Sequence, residues 1–150
     1  MEKNFENTKI NIIDRRLVDI LLSVGISANL NGYGYLKESI KLAIKEPKSI
    51  NSITKVLYPT VAEKFSTTSC RVERAIRHAL EVSYNKGKIV VLNDIFGLKI
   101  FNENEKPTNS EFVALLADRL TIELKKNNWF CLKVLDIKLY KILKALYNYV

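Results

Sequence analysis

The 150-residue chain is poor in the residues that carry most catalytic and metal chemistry: it has two cysteines and one histidine, with only three prolines, five glycines and one tryptophan. Two cysteines, Cys70 and Cys131, cannot make a disulfide framework, so a reducing compartment, the cytoplasm, is expected. With His78 as the single histidine there is no His-rich metal site, and any Ser-His-Asp or Cys-His arrangement would have to run through it. Low glycine and proline exclude a collagen-like repeat and a disordered tract. No uncharged apolar run approaches the ~18 residues that span a bilayer, and Met1-Glu2-Lys3-Asn4-Phe5 continues polar, unlike a secretion signal. A GxxxxGK[ST] phosphate loop is absent, and Gly32-Tyr33-Gly34 begins a GxGxxG pattern that fails at Lys37. Glu103 and Glu105 are close together but lie in a polar stretch, a poor setting for paired acid–base work. These absences predict a protein that is not an enzyme and that holds no metal or cofactor.

Positive charge and helical spacing are what the chain has in quantity. Lys and Arg number 24 against 16 Asp and Glu, a formal net charge of +8, and 47% of residues are hydrophobic. That is enough apolar material for one core, and the charge favours a polyanionic partner. No repeat, low-complexity tract or long linker divides the chain. Apart from Lys88-Ile89-Val90-Val91-Leu92, apolar residues recur at helical intervals. The spacing predicts helices from Asp14 to Val24 (stopped by Gly25), from about Tyr33 to Ile44, and from Ile50 to Tyr58 (closed by Pro59). Further helices are predicted over Thr60 to Phe65, Ser69 to about Asn85 (before Gly87), and Ile89 to Phe96 (before Gly97). Thr68 is a suitable N-cap, and Thr108-Asn109-Ser110-Glu111 has capping-box spacing ahead of Phe112, Leu115 and Leu116.

The segment Tyr58 to Ala75 fits a helix-turn-helix. Ala62 supplies the small contact, Val61 and Phe65 are expected to pack from the first helix, and Val72, Ala75 and Ile76 from the second. Ser66 occupies a turn position where Gly is common. On a wheel of about 100° per residue, Val72, Ala75, Ile76, Ala79 and Ser83 share one side. Arg71, Arg74, Arg77 and His78 share the other, with Glu73 at the flank. Such a helix suits the major groove, where Arg pairs bidentately with guanine. A solvated face with Glu73–Arg77 and Arg77–Glu81 pairs would account for Arg77 but leaves Arg71, Arg74 and His78 without a partner.

Ile53-Thr54-Lys55-Val56-Leu57-Tyr58-Pro59, Ala62-Glu63-Lys64-Phe65 and Arg71-Val72-Glu73-Arg74-Ala75-Ile76-Arg77-His78-Ala79 resemble the effector domain of the stage zero sporulation protein A family. Gly32-Tyr33 with Tyr35-Leu36, and Lys106-Pro107-Thr108-Asn109-Ser110-Glu111-Phe112 with Ala117-Asp118, extend the resemblance over roughly residues 14 to 125. It implies an all-α, six-helix domain whose helix-turn-helix binds double-stranded DNA at a TGTCGAA-type box and regulates transcription in sporulation. Carried over by position, base reading falls on Arg71, Glu73 and Arg74, and phosphate contact on Lys64, Ser69, Arg77 and His78. Cys70 stands where the family has a small residue and is expected to pack as one. About fifteen residues precede the domain, so its family's phosphorylated receiver is expected to be missing, in a stand-alone effector or a fragment. RNA polymerase and a second copy of the chain, on DNA or through the tail, are further expected partners; a membrane is not. The alternative is a module that keeps the fold and modulates the full-length regulator or the polymerase by protein contacts.

The expected organisation is a short segment 1–13, the helix-turn-helix domain 14–125 and an added helical tail 126–150. In the tail, Leu132, Leu135, Leu139, Ile142, Leu146 and Tyr149 recur at spacings of three and four, and Val134, Ile137, Tyr140, Leu143 and Tyr147 make a second apolar side. A helix apolar on two sides must bury both. Removing residues 127–150 is therefore expected to lower solubility or change the oligomeric state. Sedimentation of the full and truncated chains tests this, and two well-behaved monomers of unchanged thermal stability would contradict it.

Overall fold

The computed structural model of the protein describes residues 2–126, with side chains from Ile12 onward. Residues 127–150, with Cys131 and the whole predicted tail helix, lie outside the described residues. The described part is all-α, as expected: six α-helices joined by short turns, with no strand among the described residues.

Helix α1 (Glu2–Ser23) begins well before the expected Asp14. No Gly or Pro interrupts residues 2–13, so a helix anchored by its buried C-terminal half propagates backward at little cost. Leu17, Ile20 and Leu21 are fully buried. Helix α2 (Asn31–Lys45) follows a short loop. The expected separate helix over Ile50 to Tyr58 is replaced by a 3-10 turn, Pro47–Ser52, and a π turn, Ile53–Leu57, that wind directly into α3 (Tyr58–Lys64). Pro59 thus opens a helix instead of closing one. It stands in the first turn of α3, the helical position that best tolerates a proline. Helix α4 (Ser69–Asn85) and short α5 (Val91–Phe96) match their expected places closely. Helix α6 occupies 109–126.

One core unites these elements. Leu36 and Ile40 of α2, Val72, Ile76 and Leu80 of α4, and Phe112 and Leu116 of α6 are all essentially inaccessible to solvent. Two ends of the bundle are tied by polar contacts. Arg16 of α1 makes a two-bond pair with Glu123 of α6, Nε to Oε2 and Nη2 to Oε1, each 3.0 Å. Ser83 of α4 donates its hydroxyl to the carbonyl of Val24 at 2.5 Å, in a fully buried site.

The tightest constraint is the crossing of α2 over α4. A Cβ placed on Gly32 would lie 2.2 Å from the carbonyl oxygen of Ala75 and 2.8 Å from the Cβ of Ala79. Neither atom is the end of a flexible side chain, so relief would require moving a helix backbone. Gly32→Ala is expected to lose about 1–3 kcal/mol or more by overpacking. Gly34→Ala meets only the Phe65 ring at 3.5 Å, and should be neutral or stabilising by up to about 1 kcal/mol from helix propensity. Thermal unfolding followed by circular dichroism compares the two; equal Tm values would refute the role assigned to Gly32.

Candidate nucleic-acid interface

The site is built on the turn between α3 and α4. As α3 ends, Thr67 donates its N–H to the carbonyl of Ala62 at 2.9 Å and Ser66 donates to Glu63 at 3.2 Å. This paired closure requires a left-handed residue between the two helices. Helices α1, α4 and α5 meet the same need with Gly25, Gly87 and Gly97, at φ of 78°, 63° and 65°. Helix α3 meets it with Ser66, at φ 49°, the one left-handed non-glycine residue among those described. Thr68 then caps α4, its hydroxyl accepting from the Arg71 N–H at 3.3 Å, as its position in the sequence predicted.

This turn aims α4 outward. Val72, Ile76, Ala79 and Ser83 are buried, Ala75 is half-buried, and on α3 Val61 and Ala62 are buried. Phe65 differs from expectation. It is 40% exposed and lies edge-on against Tyr35, ring centroids 5.0 Å apart, because it is the residue on which the backbone leaves α3. Cys70 is exposed as well, so it is not a packing residue; it sits in the first turn of α4 on the side away from the core. Arg71, Arg74, Arg77 and His78 are exposed together on the outward side, with Ser69 and Glu73 half-buried at its margins.

The charges sort into paired and unpaired groups. Arg77 is bonded to the Glu73 carboxylate one turn earlier. Glu81 is engaged by Lys106 at 3.3 Å, and not by Arg77 as a simple solvated face would have it. Lys64 reaches back to Glu38 of α2 at 2.5 Å, and Lys41 meets the other oxygen of that carboxylate at 2.6 Å. Burial pushes the Glu38 carboxyl up, but the hydrogen bonds from Lys41 and Lys64 outweigh it and hold the group below the usual carboxylate range. Arg71, Arg74 and His78 have no carboxylate within ion-pair distance among the described residues. The three residues expected to read bases therefore stand in the first two turns of α4, with Arg71 and Arg74 free and Glu73 engaged. Lys64 and Arg77, expected to meet phosphate, already hold carboxylates.

Asn109 was legible only as part of the capping sequence before α6. Its side chain crosses to α3 and α4, donating from Nδ2 to the Tyr58 hydroxyl at 3.1 Å and to the Glu73 backbone carbonyl at 3.2 Å. Local spacing carries no sign of these contacts, which lie 51 and 36 residues away in sequence. Burial raises the Tyr58 phenol above the ordinary tyrosine value, against the opposing hydrogen bond from Asn109, so the hydroxyl stays protonated at neutral pH.

An all-α core with an outward basic helix on a tight turn defines a class, helical DNA-binding regulator domains. Within it, residues 17–120 match the family described as "Sporulation initiation factor Spo0A C terminal", and the chain belongs to that family. It is thus a DNA-binding effector domain of the sporulation-regulator type, a family of DNA binders and not a class of enzymes. Among the described residues no helix is long and apolar enough to cross a membrane.

The strain at Ser66 gives a direct test of the turn. A left-handed L-residue costs about 1–2 kcal/mol, part of which glycine returns to its greater unfolded-state entropy. Ser66→Gly should therefore stabilise the domain by about 1 kcal/mol, a rise of a few degrees in Tm. A Tm at or below that of the parent would show that this conformation carries no strain.

Proposed function

We propose that the chain regulates transcription by reading a short TGTCGAA-type box in the major groove through α4, in the cytoplasm where bacterial DNA lies. Arg71 and Arg74 pair with guanine edges and Glu73 accepts from a cytosine amino group. Lys64, Ser69, Arg77 and His78 meet phosphates and set the register. The domain that does this spans 14–125. The observation that carries the reading is the outward face of α4, where Arg71, Arg74 and His78 stand exposed without carboxylate partners among the described residues. An arginine with an unoccupied guanidinium and a fixed backbone can present both N–H donors to one base.

Glu73 and Arg77 enter this reading as a latent pair. An exposed i,i+4 pair is worth only about 0.3–0.5 kcal/mol, so parting them to meet a base and a phosphate costs little. Lys64 is 60% exposed while holding the half-buried Glu38, and Lys41 keeps that carboxylate paired when Lys64 turns to a phosphate.

Gel shifts with a box duplex and a scrambled duplex at one salt concentration test the proposal. Arg74→Ala should cost about 1–3 kcal/mol on the box and much less on scrambled DNA. Lys64→Ala should weaken both by a similar factor and reduce the salt slope, which is near −0.9 per phosphate neutralised. Circular dichroism checks that each variant stays helical. Equal weakening on both duplexes by Arg74→Ala would make Arg74 a phosphate anchor and overturn its role as a reader.

A further inference from the structure

We infer that Asn109 is a positioning residue for sequence reading: its amide bridges the Tyr58 hydroxyl and the Glu73 backbone carbonyl, and so sets how the first two turns of α4 stand out from the domain. The inference rests on the reading of α4 given above. Three helices meet at the Nδ2 atom of Asn109. Tyr58 is the first residue of α3, Glu73 lies in the second turn of α4, and Asn109 opens α6. Both amide hydrogens are used, at 3.1 and 3.2 Å, and the helical carbonyl of Glu73 has a second lone pair available to accept.

The bridge is rigid at each end. Asn109 is held by a reciprocal cap: the Thr108 N–H donates to Glu111 Oε2 at 2.8 Å, and the Glu111 N–H donates to the Thr108 hydroxyl at 3.2 Å. Tyr58 is buried, with its ring in the core. On the other side of α4, the Ala75 carbonyl abuts Gly32 of α2. Two carbonyls of α4, two residues apart, are thereby fixed from different helices. Position along the groove matters unequally for the two kinds of contact. Bidentate base pairing fails with small displacements, whereas phosphate attraction through long side chains tolerates them. Loss of the bridge should therefore reduce discrimination more than overall attraction.

The test uses the full chain, with Asn109→Ala, Tyr58→Phe and Ile20→Val, the last a destabilised control in the core. Each is titrated on the TGTCGAA duplex and on a scrambled duplex at one salt concentration. Hydrogen exchange of the amides of residues 71–78 is measured without DNA. In Asn109→Ala the preference for the box is expected to shrink about tenfold, the scale of losing one to two partly buried hydrogen bonds. Scrambled binding should change by no more than about twofold, and exchange over 71–78 should accelerate. Tyr58→Phe, which keeps the bond to Glu73, should lose less, and it carries the test if Asn109→Ala does not fold. Ile20→Val should keep the parental preference. An undiminished preference in Asn109→Ala, or a loss matched by Ile20→Val, would overturn the inference. If the parent chain itself fails to prefer the box, the reading of α4 fails, and unchanged exchange over 71–78 would then overturn the bridge separately.

Discussion

The close crossing of α2 over α4 governs how the rest of the domain is arranged. At Gly32 one helix lies against the backbone of another, with Ala75 and Ala79 as the small surfaces that allow it. Once α4 is seated this closely, its apolar side is committed to the core and the opposite side has only solvent to face. The helix cannot rotate to bury Arg71 or Arg74 without lifting Ala75 away from Gly32. An outward basic face is thus a consequence of how the inward face packs, before any ligand is considered.

The turn ahead of α4 bears the local cost of this arrangement. Three helices end on left-handed glycines, while α3 ends on Ser66. The paired hydrogen bonds from Ser66 and Thr67 back to α3 and the Thr68 cap on α4 hold that conformation in place. With so few residues between the helices, the orientation of α4 is inherited directly from α3. Through Tyr58 and Asn109, α6 is linked to the same unit, so α4 is braced by α2, α3 and α6 together.

Electrostatics divide along the same geometry. The network of Glu38 with Lys41 and Lys64 gathers charge at the junction of α2 and α3, and Glu73 with Arg77 and Glu81 with Lys106 gather it along the margin of α4. The pairs of Glu73 with Arg77 and Glu81 with Lys106 lie near the surface and are individually weak, whereas Glu38 and Lys41 are half-buried. A polyanion competes readily with the surface pairs, because each phosphate contact also releases condensed counterions.

Much of this was legible in the residues themselves. The amphipathic pattern of α4, the Thr68 cap, the Thr108–Glu111 capping box and the glycines that end α1, α4 and α5 are local features, set by neighbours three or four positions away. The block from Arg71 to Ala79 was long enough to point to the family. Other features were not legible, and each for a physical reason. Pro59 reads equally well as a stop or a start, and the π turn that feeds α3 decides between them. Residues 2–13 have a weak pattern, and their helix extends from an anchor further along the chain. Phe65 looks like a core residue until the end of α3 turns it toward Tyr35. The close approach at Gly32 and the bridge made by Asn109 carry no local signal, since their partners lie on α4 and α3 and exist only once the helices have assembled. The sequence by itself determined α2, α4, α5 and α6, the Thr68 and Thr108 caps and which face of α4 is basic, because those depend on interactions within one or two turns. Only the tertiary structure decided how α4 is braced and how far it stands from the core, because that depends on backbone atoms brought together from distant parts of the chain.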